Sequence, residues 1–469
     1  MKQIIKNEWH YLIRNRAIQI ISLGFILALA LSVYLGEIQT KNQIQQYELS
    51  KKQLRKQWEN LDSISPHGAA HYGTYVFKPT SLLSSLDEGI NSVTGNVLRV
   101  EGHVQNEIVH SESSQMQAAS KFGKLKSSLL LQYVVPLFLL FLAFNSISSE
   151  KQSGRLKLLI LQGADPVKLI WGKVMSVWFY GLILMIMTVL VYFCFNYASF
   201  NAEVGKRMLF FSLSYAMYYF ILSGITIYFS ARWKNASVAL TTMLGIWILW
   251  TMFLPNIVLS SVEKWHKLPS RDTFQTAMKE DRSKGINGHN PKDERGEKLK
   301  EETLKKYGVD SLSQLPINFD GIRMQADEAY GNKVWDKHFG DVRNVLSKQK
   351  SSYQLAGFVN PFIALQNTSM GFSETDNLHH QAFLVQVENY RRKLIKSLND
   401  EHAYGGSKTG DWSWHAHNDF FKSIPDYEHQ SVPVNNVLPN YAIDLAVLGI
   451  WTILVGMLLV FGVKKMSVL

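Results

Sequence analysis

Cysteine is almost absent from this 469-residue sequence: Cys194 stands alone. No intramolecular disulfide is available, so any large polar region must hold together by packing. Charge is absent locally. Ala17–Gly36, Ser127–Ser149, Val174–Ala202, Met208–Ala231, Asn235–Val262 and Leu445–Val463 contain no Asp, Glu, Lys or Arg. Each is close to or longer than the roughly 20 apolar residues that a helix needs to cross a hydrocarbon core of about 30 Å. A chain made only of soluble domains is thereby excluded. A phosphate-cradling loop is missing too. No Gly-x-x-x-x-Gly-Lys-Ser/Thr occurs, and "FGKLKSS" lacks the glycine five residues before Gly123. No basic stretch interleaved with aromatics offers a groove for nucleic acid.

The charges that are present fix an orientation. With the N-terminus in the cytoplasm, the inner pieces are 1–16, 150–173, 232–234 and 464–469, holding 13 Lys/Arg against three acids. They account for +10 of the formal +11, while the rest of the chain holds 36 bases and 35 acids. Such asymmetry follows the positive-inside rule, so the basic balance reports topology. The first apolar stretch exceeds the ~7–15-residue core of a signal peptide, and "SVYLGEIQTK" offers no clear cleavage site, so an uncleaved anchor is expected.

The expected class is an all-α membrane protein. Six transmembrane helices run at 17–36, 127–149, 174–202, 208–231, 235–262 and 445–463, with both termini cytoplasmic (tail 464–469). Two mostly helical exoplasmic domains follow the first and fifth spans, at 37–126 and 263–444. Met1–Arg16 places Ile5, Trp9, Leu12 and Ile13 on one face, as an interfacial helix does. Ile44, Tyr47, Leu54, Trp58 and Leu61 form a seam of coiled-coil type. It leads to a turn-rich cap at Ser63–Arg99 and a helical stretch at Val104–Ser120. The second polar segment predicts helices from Pro291 to about Tyr307, at Asp320–Ser352, and at Asp376–His402 with Asp376 as cap. Only "DWSWHAHNDFF" shows strand-like alternation. Asp444 is expected at the membrane interface rather than buried.

The inner loop at 150–173, "EKQSGRLKLLILQGADPVKLIWGK", is longer than two antiparallel helices need for a connection. Leu156, Leu159 and Ile160 share one side of a short helix, Arg155, Lys157 and Lys168 stay wet, and Gly154, Gly163 and Pro166 punctuate it. This stretch resembles the inner loop of type-2 ABC exporter permeases. In that family the loop forms a coupling helix that docks into a separate cytosolic ATPase. By resemblance, Glu150, Ser153, Gly154, Arg155, Leu156, Leu158, Leu159, Pro166, Gly172 and Lys173 occupy the motif. Ser153-Gly154-Arg155 departs from the commoner Gly-Thr pairing. "HYGTYVFKP", "LDEGINSVTG", "GINGHNP" and "NPFIALQNTSMGFSETDNLHHQAF" are similar to a large-ectodomain subfamily whose outer region is a domain of unknown function. Its members are often grouped with permeases for multicopper-enzyme maturation, such as that of nitrous oxide reductase.

The resemblance implies a bacterial cytoplasmic-membrane permease, paired with a second copy or a paralogue. ATP and Mg would be bound by the partner ATPase, and this chain itself would bind no cofactor. The missing phosphate loop agrees with that division. Gln132, Tyr133, Pro136 and Asn145 in the second span, and Thr241, Thr242, Pro255 and Asn256 in the fifth, mark either a pathway and dimer face or interhelical packing alone.

Thirteen of the 14 histidines fall outside. They include His67 with His71, His379 with His380 and His415 with His417; no metal site is assigned, and His379, His380, His415 and His417 are weak candidates only, because imidazole suits zinc or copper. Histidine is costly inside a bilayer, so most of this clustering is expected without metal. "HGAAH" has metallopeptidase spacing but lacks its glutamate, and no catalytic residue is assigned. Two readings follow. One is a permease that exports or extracts a substrate. The other is a machine that transmits force to a periplasmic or envelope partner, such as a metalloenzyme-maturation protein, without moving a solute. A membrane-anchored scaffold with no ATPase would leave the inner loop unexplained.

Overall fold

In hydrocarbon a backbone must satisfy its own hydrogen bonds, so uncharged apolar runs become helices. The computed structural model describes residues 1–61, 64–105, 125–288 and 291–464. Six helices in it are long and apolar enough to cross a membrane: Arg16–Glu59, Ser127–Gln152, Pro166–Ser199, Ala202–Arg232, Ala236–Trp265 and Val434–Gly462. Each contains or overlaps one of the expected spans. Short polar side chains set their starts. Asn15 accepts from Ala17 N and Ile18 N at the first span, Asn201 from Glu203 N at the fourth and Asn235 from Ser237 N at the fifth.

The second and fifth spans share an irregularity. Each has a π-helical turn, Leu130–Val134 and Leu249–Phe253, directly before a Pro at helical position two, Pro136 and Pro255. Val135 N bonds back to Leu130 O, and Leu254 N to Leu249 O. A wide turn lets the chain pass a residue that has no N–H to donate.

The first span does not stop at the expected membrane edge but runs unbroken for 44 residues to Glu59, about 66 Å at 1.5 Å per residue. Its far end carries Trp58 into a core with Ala69, Val76, Leu98 and Val100 of the first polar segment and Phe383, Val387, Leu394, Ile395 and Phe421 of the second. The two polar segments, expected as separate units, thus share one hydrophobic core. The longest helices there, Phe319–Leu355 and Asn377–Tyr404, pack on each other. Arg391 clamps them, bonding Glu328 at 3.0 Å, Glu388 at 2.8 Å and Asn332 at 2.6 Å. Asp376 caps the second of the pair, accepting from His379 N.

Three expectations change. The strand pair is an antiparallel hairpin of Thr74–Phe77 with Val97–Val100, inside the stretch read as turns. "DWSWHAHNDFF" instead folds as turns and a short helix, Asn418–Ser423: Asp411 accepts from Ser413 N, and His417 caps the helix. Alternation without a neighbouring strand yields no ladder. Asp444 is fully buried, accepting from Gln354 Nε2 at 2.6 Å and Asn367 Nδ2 at 2.9 Å. Both donors lie 77 or more residues away, which no local pattern reveals. The helical stretch expected at Val104–Ser120 lies almost wholly outside the described residues.

Asn367 belongs to Pro361–Phe372, a 12-residue helix of the second polar segment buried against the fourth and sixth spans. Phe362 meets Tyr133 and Tyr218, Ser369 meets Tyr215 Oη at 2.9 Å, and Asn360 donates to Trp250 O at 2.7 Å. Gln132 donates to Ser369 Oγ at 3.2 Å and to Asp87 Oδ2 at 3.1 Å. Ser369 also donates to Asp87. Burial pushes the Asp87 carboxyl above the usual range, against the hydrogen bonds that favour its charge.

Candidate coupling site

At the end of the bundle opposite the polar segments, the loop between the second and third spans folds as two short helices, Ser148–Gln152 and Arg155–Leu161. Gly154 turns the chain between them with φ +73°. After the second, Gly163 takes φ +88°, Gly163 N bonds Ile160 O and Ala164 N bonds Leu159 O. That is a Schellman termination, whose left-handed residue favours glycine. Asp165 then accepts from Val167 N and starts the third span, with Pro166 in its first turn.

The ten motif residues divide by role. Glu150, Gly172 and Lys173 face inward. Lys173 is 3% exposed, and its Nζ lies 2.9 Å from Glu150 Oε1 and 2.6 Å from Glu8 Oε1 of the N-terminal helix Lys2–Arg14. One buried cation thus ties loop, third span and N-terminal helix together. Two carboxylates offset its desolvation. At Gly172 an added Cβ would sit 2.6 Å from Ile4 Cγ2, so only glycine allows this approach. The packed face of the N-terminal helix is Ile4, Ile5, Trp9 and Leu12, while Ile13, expected with them, is 56% exposed.

Leu156 is buried, Leu159 and Ile160 are half-buried against the spans. Ser153, Gly154, Arg155, Lys157, Leu158, Leu161 and Pro166 are exposed. Leu158 is 59% and Leu161 75% exposed, three residues apart on one helical face. Arg155, exposed in the first turn of the same helix, donates from Nε to Ser153 Oγ at 3.0 Å. Leu161, unnamed by the motif, belongs to this outward surface. A helix whose apolar residues point both ways signals it. The loop is fastened to the bundle by Ser230 Oγ, which accepts from Ile147 N and Ser148 N, and by Lys151, which donates to Ala231 O.

A model of the ABC-2 family of transporter proteins matches residues 2–301, more than half the chain. The chain belongs to that family. The permease carries in addition a domain of unknown function, DUF3526, matched over residues 271–430. No curated protein and no solved structure matches it. Family membership makes it the membrane subunit of an ABC transporter, not itself the ATPase, and implies a partner ATPase.

The residues named for a pathway or dimer face differ in exposure. Gln132, Pro136 and Pro255 are buried, and Tyr133 is half-buried, accepting from Gln366. Asn145, Thr241 and Asn256 are exposed. Thr241, Thr242 and Asn256 bond back to carbonyls of their own helix. The weak metal candidates also separate. His379 Nδ1 is 2.6 Å from Asp376 Oδ1, and His380 is buried beside it with an unpartnered Nδ1. His417 is a helix cap 82% exposed at its side chain. His67 and His71 do approach each other, and His103 joins them.

Proposed function

We propose that the permease couples ATP hydrolysis by a separate cytosolic ATPase to movement of its spans, with the ATPase docking on Ser153–Leu161. The observation that carries this reading is the exposed pair Leu158 and Leu161, with the exposed Arg155 on the same short helix, on a loop braced from behind by the buried Lys173. An apolar anchor with a neighbouring cation is what a groove in a soluble partner recognises. The positive-inside balance supports a cytoplasmic position for this loop and both termini, in a bacterial cytoplasmic membrane. The exposed Thr241 and Asn256 on the fifth span support pairing with a second copy or paralogue there, and the family resemblance supports export or extraction as the direction.

The test is co-purification of the ATPase with the permease carrying Leu158→Asp and Leu161→Asp. The expected outcome is loss of the complex and of permease-stimulated ATPase activity, with the permease melting temperature unchanged because both side chains are already in water. A complex of undiminished yield would sink this docking surface.

A second reading, force transmission without a transported solute, is favoured by one observation: the continuous helix from the first span into the core shared by both polar segments. The apolar interior around Leu131, Val135, Leu139, Tyr218 and Phe362 also fits a bundle that moves as a lever. Under this reading the polar segments act on an envelope partner or on a metalloenzyme in maturation.

A further inference from the structure

His67 and His71 stand four residues apart in the helix Pro66–Tyr72, so their rings leave the same face. Their Nε2 atoms are 3.2 Å apart and the rings meet at 87°. His103, just beyond the hairpin strand Val97–Val100, brings a third ring to 5.7 Å from His67 and 5.2 Å from His71 between centroids. One ligand-capable nitrogen of each ring lies within 4.8 Å of the other two, and this is the single convergent group of three His, Cys, Asp or Glu among the described residues. We propose that His67, His71 and His103 bind one divalent first-row metal ion, of zinc or copper type, through three neutral imidazoles.

Two features separate this cluster from a chance grouping. The first is the support of His103. Its Nδ1 lies 3.0 Å from Glu328 Oε1, and the other Glu328 oxygen takes Arg391 Nη1 at 3.0 Å. A carboxylate on Nδ1–H fixes the tautomer that leaves Nε2 with its lone pair and makes that lone pair more basic. The second is the backbone. His103 holds φ +65° without being glycine. Arg282 Nη1 on its carbonyl at 2.8 Å and Gly102 N on Ala70 O at 2.8 Å keep it there. Such a conformation costs about 1 kcal/mol or more and persists where surroundings impose it.

The spacing suits a metal. Tetrahedral bonds of ~2.0 Å place neighbouring nitrogens about 3.3 Å apart, close to the His67–His71 separation. His71 is exposed and free to close the remaining gap. At 3.2 Å two imidazole nitrogens can share only one proton. A cation accepts all three lone pairs at once. Three imidazoles without sulfur favour Zn(II) or Cu(II) over Cu(I), and three protein ligands leave a fourth position for water or a partner's side chain. Glu328 comes from the second polar segment, so the site in the first segment is supported by a carboxylate of the second. This inference does not depend on where the ATPase docks.

The test uses the full chain, purified through a tag without histidine and stripped by chelator, then titrated with zinc chloride and separately with copper(II) chloride against a chromophoric chelator. One equivalent per chain is expected, for whichever ion binds tighter. His71→Ala, at an exposed position, should weaken binding at least tenfold, while the double variant His415→Ala, His417→Ala should not. Cobalt(II) should give tetrahedral visible bands in the parent chain and lose them in His71→Ala. Matching melting curves in chelator verify that His71→Ala is folded. Absence of stoichiometric binding, or binding that His71→Ala leaves unchanged, overturns the site.

Discussion

Single residues in this permease carry charge where water is scarce, and their environments set their behaviour with pH. His380 is 8% exposed, and burial, aided by Lys78, pushes its imidazole down to about 4. Lys78 is itself lowered to about 8 by burial, against the pull of Asp376. For a histidine whose folded value lies below the unfolded 6.5, the unfolded state takes up the proton first. Stability is therefore whole above about pH 6.5 and declines as pH falls toward 4, by on the order of 3 kcal/mol at this site. Chemical denaturation of the purified chain at pH 7.5 and 4.5 measures it. His380→Leu should lose distinctly less stability over that interval than the parent. Equal losses would place the acid sensitivity elsewhere. Lys173, buried as well, has two carboxylates at hand, Glu8 and Glu150.

At the scale of elements, local signals were legible and distant partnerships were not. The six spans follow from runs without charge. The Asp376 cap and the helix ending at Tyr307 follow from residue types at fixed offsets. The inner loop was legible as a motif, but its division was not, because what faces inward is fastened by Ile4, Ser230 and Ala231, distant in the chain. The hairpin strands are four residues each, too short for a period to declare itself, and "DWSWHAHNDFF" has the period without the neighbour. His103 was invisible as a partner of His67 because nothing local joins positions 36 residues apart. The helix Arg155–Leu161 gives a prediction of its own. Gly163 ends it at φ +88°, and Gly163→Ala forces a side chain into that region at a cost of about 1 kcal/mol. Amide exchange across 155–161 should accelerate roughly fivefold, with exchange in the spans unchanged. No acceleration would mean that the loop helix is held by something other than its cap.

For the whole molecule, the decisive element is the helix Arg16–Glu59, which is membrane anchor at one end and core component at the other. If it carries motion between the ends, its stiffness matters more than its surface. Gln46 is exposed midway along the outer half, and Gln46→Pro removes a backbone donor and kinks the helix there. The ATPase should still dock and hydrolyse ATP. Nucleotide-dependent distance changes between spin labels in the polar segments should vanish. They can be placed on a Cys194→Ser background, since the chain has no other thiol. Nucleotide-dependent distance changes that persist in the variant would show that the polar segments move by another route. The buried helix Pro361–Phe372 has a consequence for how the protein is made. Five spans leave the ribosome before this helix exists, and Asp444, which holds its Asn367, arrives only with the sixth. Gln132 and Asp87 can bond each other before then, but the Ser369 hydroxyl that joins them arrives only with this helix. Assembly of the bundle is accordingly a late event, and a chain cut short before residue 360 would present quality-control proteases with a polar gap among its spans.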